Sequence, residues 1–336
     1  MRNTANDQRP LSLLQLVAIT FVSDAFVIFA LHGNITLMTV LGFALGIPIQ
    51  CAMSLPLLAL VRDGRQYGRA ADAVCLIFLV MWGGALFAMM WEISGDIFVP
   101  AENAGGLFGR LYMTALIALV CLYAASVGLC ALSRAVFIAA AVGMICVAVV
   151  MANTFISPDS DNLIRGSLKS IWGELMRGFA LSGSLCSFTL LLGRTKGDIR
   201  TNTLAFFVFR LVFITLTLIS ILLAAGGLSE LAEFPTLTAA RLTQPFPVQR
   251  IDSLFLIVFT VLAVFAAAVQ SVLASEILKR LIPGFIHLRS AAVLALMTAA
   301  AFIFVSGDYY LFGAAAVTAV VLIVPSAELI RERVKR

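Results

Sequence analysis

Residues 135–155 read AVFIAAAVGMICVAVVMANTF, an apolar run that contains no charged side chain. A helix needs about 20 predominantly apolar residues to cross the roughly 30 Å hydrocarbon core of a bilayer, and this run is long enough. Because backbone polar groups in lipid must be satisfied within the segment itself, the run predicts a transmembrane α-helix.

The rest of the chain has the same character. Of its 336 residues, 61% belong to the hydrophobic set AVILMFWYC and 12% are charged, whereas soluble domains have about 45–50% and about 25%. This composition excludes a soluble enzyme, a disordered chain and a nucleic-acid-binding protein, so no enzymatic activity and no nucleic-acid partner are expected. The closest pair of the six cysteines is nine residues apart, so neither a metal site nor a cofactor is expected.

Ten apolar segments of this length occur, which predicts an all-α integral membrane protein with ten transmembrane helices. The polar N-terminus leads directly into the first segment without a small-residue cleavage site, so this segment is predicted to be a span and not a signal peptide. The predicted spans are residues 11–31, 35–61, 71–93, 110–131, 135–155, 172–193, 203–227, 252–275, 287–306 and 309–330.

The basic residues predict the orientation of these spans, because Lys and Arg concentrate in cytoplasmic loops. Of 23 basic residues, 16 fall in the alternate loops that include both termini, and Arg210 lies within a span. The N- and C-termini are therefore predicted to be cytoplasmic. The two long outer loops, 157–171 and 228–251, are expected to carry short interfacial helices. The six basic residues on the outer side are Arg110, Arg165, Lys169, Arg177, Arg241 and Arg250.

The spans divide into two sets of five within a single membrane domain, residues 1–336. The first repeat covers 11–155 and the second 172–330, and four of the five span starts are offset by between 161 and 181 residues. Because five is an odd number, the second repeat must be inverted in the membrane relative to the first. Inverted five-helix repeats build many secondary transporters, which bind substrate near the midplane at the broken first helix of each repeat.

Candidate breaks occur in the first span of each predicted repeat. Span 1 carries Ser23, Asp24 and Ala25 in the run FVSDAFVIFA, and span 6 carries SGS at 182–184 in the run GFALSGSLCSF. Glycine and serine lower helix propensity, and serine can hydrogen-bond to freed backbone groups. The alternative is close helix packing, because small residues are common where membrane helices meet.

Asp24 is the only acidic residue well inside a predicted span. A carboxylate at the bilayer centre costs about 2.5–3.5 kcal/mol on insertion scales, so Asp24 must face the bundle, a cavity or a partner. It is interpreted either as a site for a ligand amine, a cation or a proton, or as a paired structural carboxylate. Arg210, about seven residues into span 7, is expected to snorkel to the cytoplasmic face rather than to pair with Asp24.

Two short motifs lie where predicted spans begin, one at the entry to span 1 and one in the outer loop that runs into span 8. They are LSLLQL at 11–16, with Ser12 and Gln15, and FPTL at 234–237 followed by QRIDSLF at 249–255, with Pro235, Arg250 and Asp252.

In these motifs and in its ten-span layout, the chain resembles the B subunits of spore germinant receptors, which belong to the amino acid–polyamine–organocation transporter superfamily. The resemblance implies a permease-like nutrient sensor in the inner membrane of a bacterial spore, in contact with membrane lipid and acting with an A subunit and a C subunit. It departs from the family in span 6, where 182–187 holds no acidic residue.

The leading hypothesis is a subunit that binds a small germinant, such as an amino acid, between spans 1, 3, 6 and 8. The expected ligand-binding residues are Ser23, Asp24, Ala25, Trp82, Ser182, Gly183, Ser184 and Phe255. One alternative is a proton- or cation-coupled amino-acid permease in which Asp24 carries the coupling ion. The other is a structural or channel-like subunit that has no ligand.

Overall fold

The computed structural model of the chain describes residues 10–33, 35–63, 67–97, 107–156, 163–230, 232–243, 251–284, 288–304 and 310–334. Nearly all of these residues are helical, and the β contact among them is one isolated bridge between Leu11 and Thr195. The described α-helices are α1 Leu13–Phe29, α2 Leu37–Met53, α3 Leu55–Arg62, α4 Arg69–Ile97, α5 Leu107–Val127, α6 Leu129–Ile156, α7 Ile171–Ala180, α8 Ser184–Leu191, α9 Ile199–Ala225, α10 Pro235–Leu242, α11 Ile251–Leu281, α12 Arg289–Phe304, α13 Tyr310–Thr318 and α14 Val324–Val334.

Several of these helices are suited to a bilayer, which makes the chain an all-helical integral membrane protein. Among the described residues, six helical segments are long and apolar enough to cross a membrane, and the bent pair α7 and α8 gives a possible seventh. The short helix α10 lies in the predicted outer loop 228–251, as expected. The six segments are Leu37–Arg62, Arg69–Ile93, Leu129–Phe155, Ile199–Leu228, Phe255–Leu281 and Gly313–Arg331.

The two sequence motifs have local structural roles. The Ser12 hydroxyl accepts a hydrogen bond from the Gln15 backbone N–H, and the Gln15 side chain accepts one from the Ser12 backbone N–H. This reciprocal capping box satisfies free donors at the start of α1. Pro235 occupies the first turn of α10, where its missing N–H costs no helical hydrogen bond.

Helix α1 lies at the centre of the bundle, in contact with α6, α8, α9 and α11. Every residue of α1 from Ala18 to Phe29 is buried. The long helix α4 packs along α11 and α12, and Gly84 makes the contact with α12 close. A Cβ at Gly84 would lie 2.5 Å from the Ala300 Cβ, so glycine is required at this crossing.

Two groups of contacts, one beside each end of α1, distinguish the two ends of the bundle. Beside the start of α1, the Leu11 N–H donates to the Arg194 carbonyl at 2.9 Å, and Arg194 pairs with Glu276 at 2.8 Å. Beyond its other end, the His32 ring lies 3.1 Å from the Glu92 carboxylate and contacts Phe234. The bundle therefore has an Arg194 end and a His32 end.

Candidate functional site

The helix that follows the first half of the chain is broken at its centre. Helix α7 ends at Ala180, α8 begins at Ser184, and the two segments are bent by 50°. The Ser182 hydroxyl donates to the Gly178 carbonyl at 2.6 Å. The candidate break at 182–184 is therefore present.

The Trp82 indole lies against this break. A Cβ added to Gly183 would come within 2.0 Å of the Trp82 ring, so a side chain at this position is incompatible with the ring where it stands. The Trp82 Nε1–H donates to the Ser23 hydroxyl on α1 at 3.3 Å. Trp82 thus joins the break to the centre of α1.

The matching break expected in span 1 is not found. Ser23, Asp24 and Ala25 lie in the uninterrupted helix Leu13–Phe29, and all three are buried. The alternative, a continuous packed helix, applies in span 1, because the polar groups of Ser23 and Asp24 reach partners on neighbouring helices and no unwound backbone is needed to satisfy them. Ala25 contributes no polar side-chain atom to the site.

Asp24 pairs with Arg210 of α9 inside the bundle. The Arg210 Nε donates to Asp24 Oδ2 at 2.8 Å, and Nη2 donates to Oδ1 at 3.3 Å. This is a fork-like pairing of a guanidinium with a carboxylate. Both residues are buried, with 5% of Asp24 and 2% of Arg210 exposed. The expectation that Arg210 snorkels to the membrane surface is wrong, because its side chain turns inward to the nearest carboxylate.

Side chains from two further elements complete the network. The Ser184 hydroxyl donates to Asp24 Oδ1 at 2.6 Å. The Arg210 Nη1 donates to Gln50 Oε1 at 2.6 Å, and the Gln50 amide donates to the Ser182 hydroxyl at 2.9 Å. The network therefore links α1, α2 and α9 to the break between α7 and α8 through Ser182 at one end and Ser184 at the other. Its charge is neutral, which a buried ion pair in lipid requires.

Gln50 was not anticipated from the sequence. It is fully buried on α2, and its carbonyl oxygen and amide group connect Arg210 to the broken helix. The signal that could have found it is an amide side chain inside the long apolar run 35–61. A second amide, Gln270 of α11, hydrogen-bonds to the Ser187 hydroxyl of α8 at 3.2 Å, so both halves of the broken region carry a buried amide partner.

Free space beside the network is small. A cavity of about 10 Å³ lies against Asp24, Gln50 and Arg210, which is room for about one water molecule. In this state the polar groups of the site are occupied by one another. Within the described residues, no cluster of three or more His, Cys, Asp or Glu side chains could hold a metal ion.

The remaining predicted residues whose side chains the structure describes lie away from the Asp24 network. The Phe255 ring, on α11, contacts the Phe29 ring with centroids 5.0 Å apart, five residues further along α1 than Asp24. Ser12, Gln15 and Pro235 form the helix starts described above. Arg250 lies outside the described residues, and Asp252 lies in the first turn of α11, where side chains are not described. The structure therefore gathers Ser23, Asp24, Trp82, Ser182, Gly183 and Ser184, and places Ser12, Gln15, Pro235 and Phe255 apart from them.

Known proteins add no family to this geometry. No protein-family model matches the chain, and no curated protein matches it either. The function must therefore be inferred from the side chains around Asp24, together with the resemblance in the two sequence motifs.

Proposed function

We propose that this membrane protein binds a small zwitterionic nutrient, such as an amino acid, and that it is the nutrient-sensing membrane subunit of a spore germinant receptor. One observation carries the ligand assignment. A buried, oppositely charged pair, Asp24 and Arg210, faces the helix break at Ser182–Ser184. The germinant-receptor assignment is supported by the resemblance in the motifs at 11–16 and 234–255.

The charge balance of the pair favours a zwitterion. Asp24 offers a partner for an ammonium group, and Arg210 offers one for a carboxylate. A zwitterion that separates the pair replaces one ion pair by two, so no uncompensated charge is left in the bundle. A simple amine or a simple carboxylate would satisfy one partner and leave the other buried and unpaired. The site must widen to admit the ligand, which links binding to a change of conformation.

The proposed scaffold has ten transmembrane helices. Besides the segments described above, three shorter apolar helices, Leu13–Phe29, Thr114–Val127 and Arg289–Phe304, are the candidates for the remaining spans. Every one of the ten segments predicted from the sequence is largely helical within its described residues. These observations support ten spans.

Helix contacts support the proposed 5+5 inverted repeat. An inverted repeat relates span 1 to span 6, span 2 to span 7, and so on. The contact of α4 (span 3) with α12 (span 9) then corresponds to the contact of α11 (span 8) with α5 (span 4), and both contacts occur. The contact of α1 with α6 corresponds to that of α7 with α13, and both occur as well. The repeat relates α4 to α11 and α2 to α9, so each of these two contacts corresponds to itself. Both contacts are present.

We propose that both termini are cytoplasmic and that the protein lies in the inner membrane of the spore. Support for a shared side comes from contacts at the Arg194 end. The Leu11 N–H donates to the Arg194 carbonyl, the Gly68 N–H donates to the Glu328 carboxylate, and Arg280 lies at the same end. The positive-inside rule then favours the cytoplasm for this end. The A and C subunits of the receptor are the proposed partners, and they would read the change of state.

A proton- or cation-coupled amino-acid permease is the second candidate. A crevice of about 320 Å³ at the Arg194 end favours it, since a transporter needs a path to the site. The Arg210 pairing argues against Asp24 as the coupling-ion site, because its charge is already balanced. The sensor remains the leading proposal.

A ligand panel tests the proposed binding. The purified full-length protein would be heated in detergent with each standard L-amino acid, and with the matching amine and carboxylic acid of every amino acid that binds. We expect at least one zwitterion to raise the unfolding midpoint and its two half-charged analogues to have little effect. If no amino acid raises the midpoint, or if an analogue does so equally well, the zwitterion assignment is wrong.

Two further measurements separate the sensor from the permease and from a ligand-free subunit. Gradient-driven accumulation of the bound amino acid in proteoliposomes would favour the permease, whereas binding without flux supports the sensor. In a spore-forming host, spores carrying Ser184→Leu should lose the germination response to that amino acid. An unchanged response would remove Ser184 from the site.

A further inference from the structure

A crevice opens at the Arg194 end of the molecule, separate from the Asp24 network. It lies between α3, α8 and α11 and has a volume of about 320 Å³. Apolar side chains form much of its wall, among them Leu60, Leu191, Leu273 and Ile277. A space of this size is at the lower end of the range for small-molecule sites, and polar groups form about as much of its lining as apolar ones.

Two ion pairs lie at this crevice. Arg194 pairs with Glu276 at 2.8 Å, and Arg280 pairs with Asp72 at 3.1 Å. The Arg194 and Glu276 side chains are 40% and 24% exposed, so water screens their attraction and the pair contributes little to stability. A ligand can therefore separate Arg194 from Glu276 at low cost.

Neutral hydroxyl groups face the same space. The Tyr67 hydroxyl is buried beside the Thr189 side chain, without a hydrogen bond of good geometry in the described part of the chain. Thr189, which also lines the crevice, donates to the Cys186 carbonyl at 2.8 Å and keeps acceptor capacity. Burial raises the pKa of Tyr67, so this phenol stays a neutral hydrogen-bond donor.

We propose that the crevice is a second binding site for α-amino acids with apolar side chains, in which Arg194 binds the carboxylate and Glu276 binds the ammonium group. The side chain of the ligand packs against Leu273 and Ile277, and the Tyr67 hydroxyl is available to the carboxylate. The choice of ligand class rests on the function proposed above. The assignment of residues to this second site does not rest on that function, because these residues line a different cavity from the Asp24 network.

The charges at the crevice favour a zwitterion over an anion. Both arginines already have a carboxylate partner, so a simple anion would compete with Glu276 or Asp72 without satisfying either one. A zwitterion gives Arg194 and Glu276 one new partner each and leaves the total charge unchanged. This is the same chemistry as at Asp24 and Arg210, but it is in contact with water.

The crevice lies close to the buried network along helix α8. Helix α8 carries Ser184, which contacts Asp24, and Thr189, which lines the crevice. At about 1.5 Å per residue these two positions are about 7.5 Å apart along the helix. The Ser187–Gln270 hydrogen bonds lie between them. A ligand in the crevice is therefore about one and a half helical turns from Asp24.

Cysteine protection tests this site directly. Gly193 lines the crevice and is exposed, and a Cβ there would meet only the Val61 side chain, at 3.6 Å. Gly193→Cys would be labelled with a permanently charged thiol reagent in the full-length protein, with L-leucine as the probe. Lys196→Cys, three residues further on and exposed outside the crevice, is the matched control, and the wild type gives the background from native cysteines.

We expect L-leucine to slow the labelling of Gly193→Cys and to leave Lys196→Cys unchanged. At about ten times the Kd, occupancy predicts labelling about tenfold slower. Isoamylamine and 4-methylpentanoate, which each lack one charge of the zwitterion, should not protect. Glu276→Gln and, separately, Arg194→Gln should abolish protection, whereas Arg200→Gln, which removes an exposed arginine on the same side, should not.

The buried site is varied independently. Protection must survive in the double variant Asp24→Asn/Arg210→Gln if the crevice binds on its own. Loss of protection there would mean that the effect originates at Asp24 and would overturn the second site, as would protection that survives both crevice variants or is absent in the wild type. If amino acids raise the unfolding midpoint but do not protect Gly193→Cys from labelling, the crevice site alone is wrong. If they protect Gly193→Cys but no rise of the midpoint depends on Asp24, the buried site alone is wrong.

Discussion

The buried charge of Asp24 is acceptable only because Arg210 neutralises it. Moving an unpaired carboxylate into hydrocarbon is unfavourable, whereas here the carboxylate accepts from Arg210 and from Ser184. The pair stabilises the fold mainly in the sense that breaking it is costly, because the partner left behind stays buried and charged. Arg210 depends on Gln50 in the same way, through the 2.6 Å hydrogen bond to its carbonyl oxygen.

We therefore expect Asp24→Asn to destabilise the protein by about 3–5 kcal/mol, the cost of leaving one member of a buried pair uncompensated. The double variant Asp24→Asn/Arg210→Gln should recover part of this loss because it removes both charges. The measurement is the detergent-solubilised unfolding midpoint of each variant. Asp198→Asn is the control, since Asp198 is an exposed N-cap and asparagine caps helices about equally well. Equal losses for Asp24→Asn and Asp198→Asn would contradict the role of the pair.

Sequence alone identified Asp24 but not its partner. A lone carboxylate in an apolar helix is conspicuous because of its transfer cost. The partner depends on which way α9 is rotated, and that is decided by packing around the whole bundle. The arginine side chain is long enough to reach either the interface or the core. The apolar composition of the span favoured the interface. Gln50 was overlooked for a related reason, because a single neutral amide in a span has several possible partners.

The break between α7 and α8 results from one close contact more than from helix propensity. Gly183 and its serine neighbours weaken the helix only modestly. The Trp82 ring then occupies the space that a Cβ at 183 would need. Span 1 has no glycine at Ser23–Asp24 and receives only a hydrogen bond from the same indole, so it stays helical. Small polar residues therefore predicted a break in both helices, but only the helix in which glycine leaves room for the Trp82 ring is broken.

Gly183→Ala should displace the Trp82 ring and disturb the hydrogen bonds through Ser182. We expect a loss of about 1–3 kcal/mol, typical of overpacking in a filled core, together with a change in tryptophan fluorescence. The partner substitution Trp82→Leu in the same chain should restore part of the stability by making room. Gly173→Ala, where an added Cβ meets nothing within 4 Å, is the matched control and should be neutral or mildly stabilising. If Gly183→Ala behaves like Gly173→Ala, Trp82 is not what keeps the helix broken.

Within the described residues, aromatic contacts fill the bundle at the His32 end, and a crevice opens at the Arg194 end. At the His32 end, Phe29 contacts both Phe255 and Phe259, with ring centroids 5.0 and 5.5 Å apart, and His32 packs on Phe234. At the Arg194 end, the crevice reaches toward α8. A ligand that reached Asp24 from the His32 end would have to separate these aromatic contacts.

The broken pair α7 and α8 decides how the chain crosses the membrane, since a bent pair is either one span or a loop that enters and leaves on the same side. Lys169 precedes the pair and Lys196 follows it, and both side chains are exposed. If the pair is a span and the Arg194 end is cytoplasmic, a charged thiol reagent outside intact cells should label Lys169→Cys and not Lys196→Cys. Permeabilised cells should then label both, and the wild type measures the native background.

Each alternative gives a different labelling pattern. Label on both cysteines from outside would make the pair a re-entrant loop, and label on Lys196→Cys alone would reverse the orientation. The first result would also remove the inverted repeat, because five spans in each half require that α7 and α8 together cross once. At this pair the basic residues are balanced, because Arg194, Lys196 and Arg200 lie at one end and Arg165, Lys169 and Arg177 at the other. The expected labelling pattern therefore depends on the excess of basic residues at the other loops on the Arg194 side of the chain.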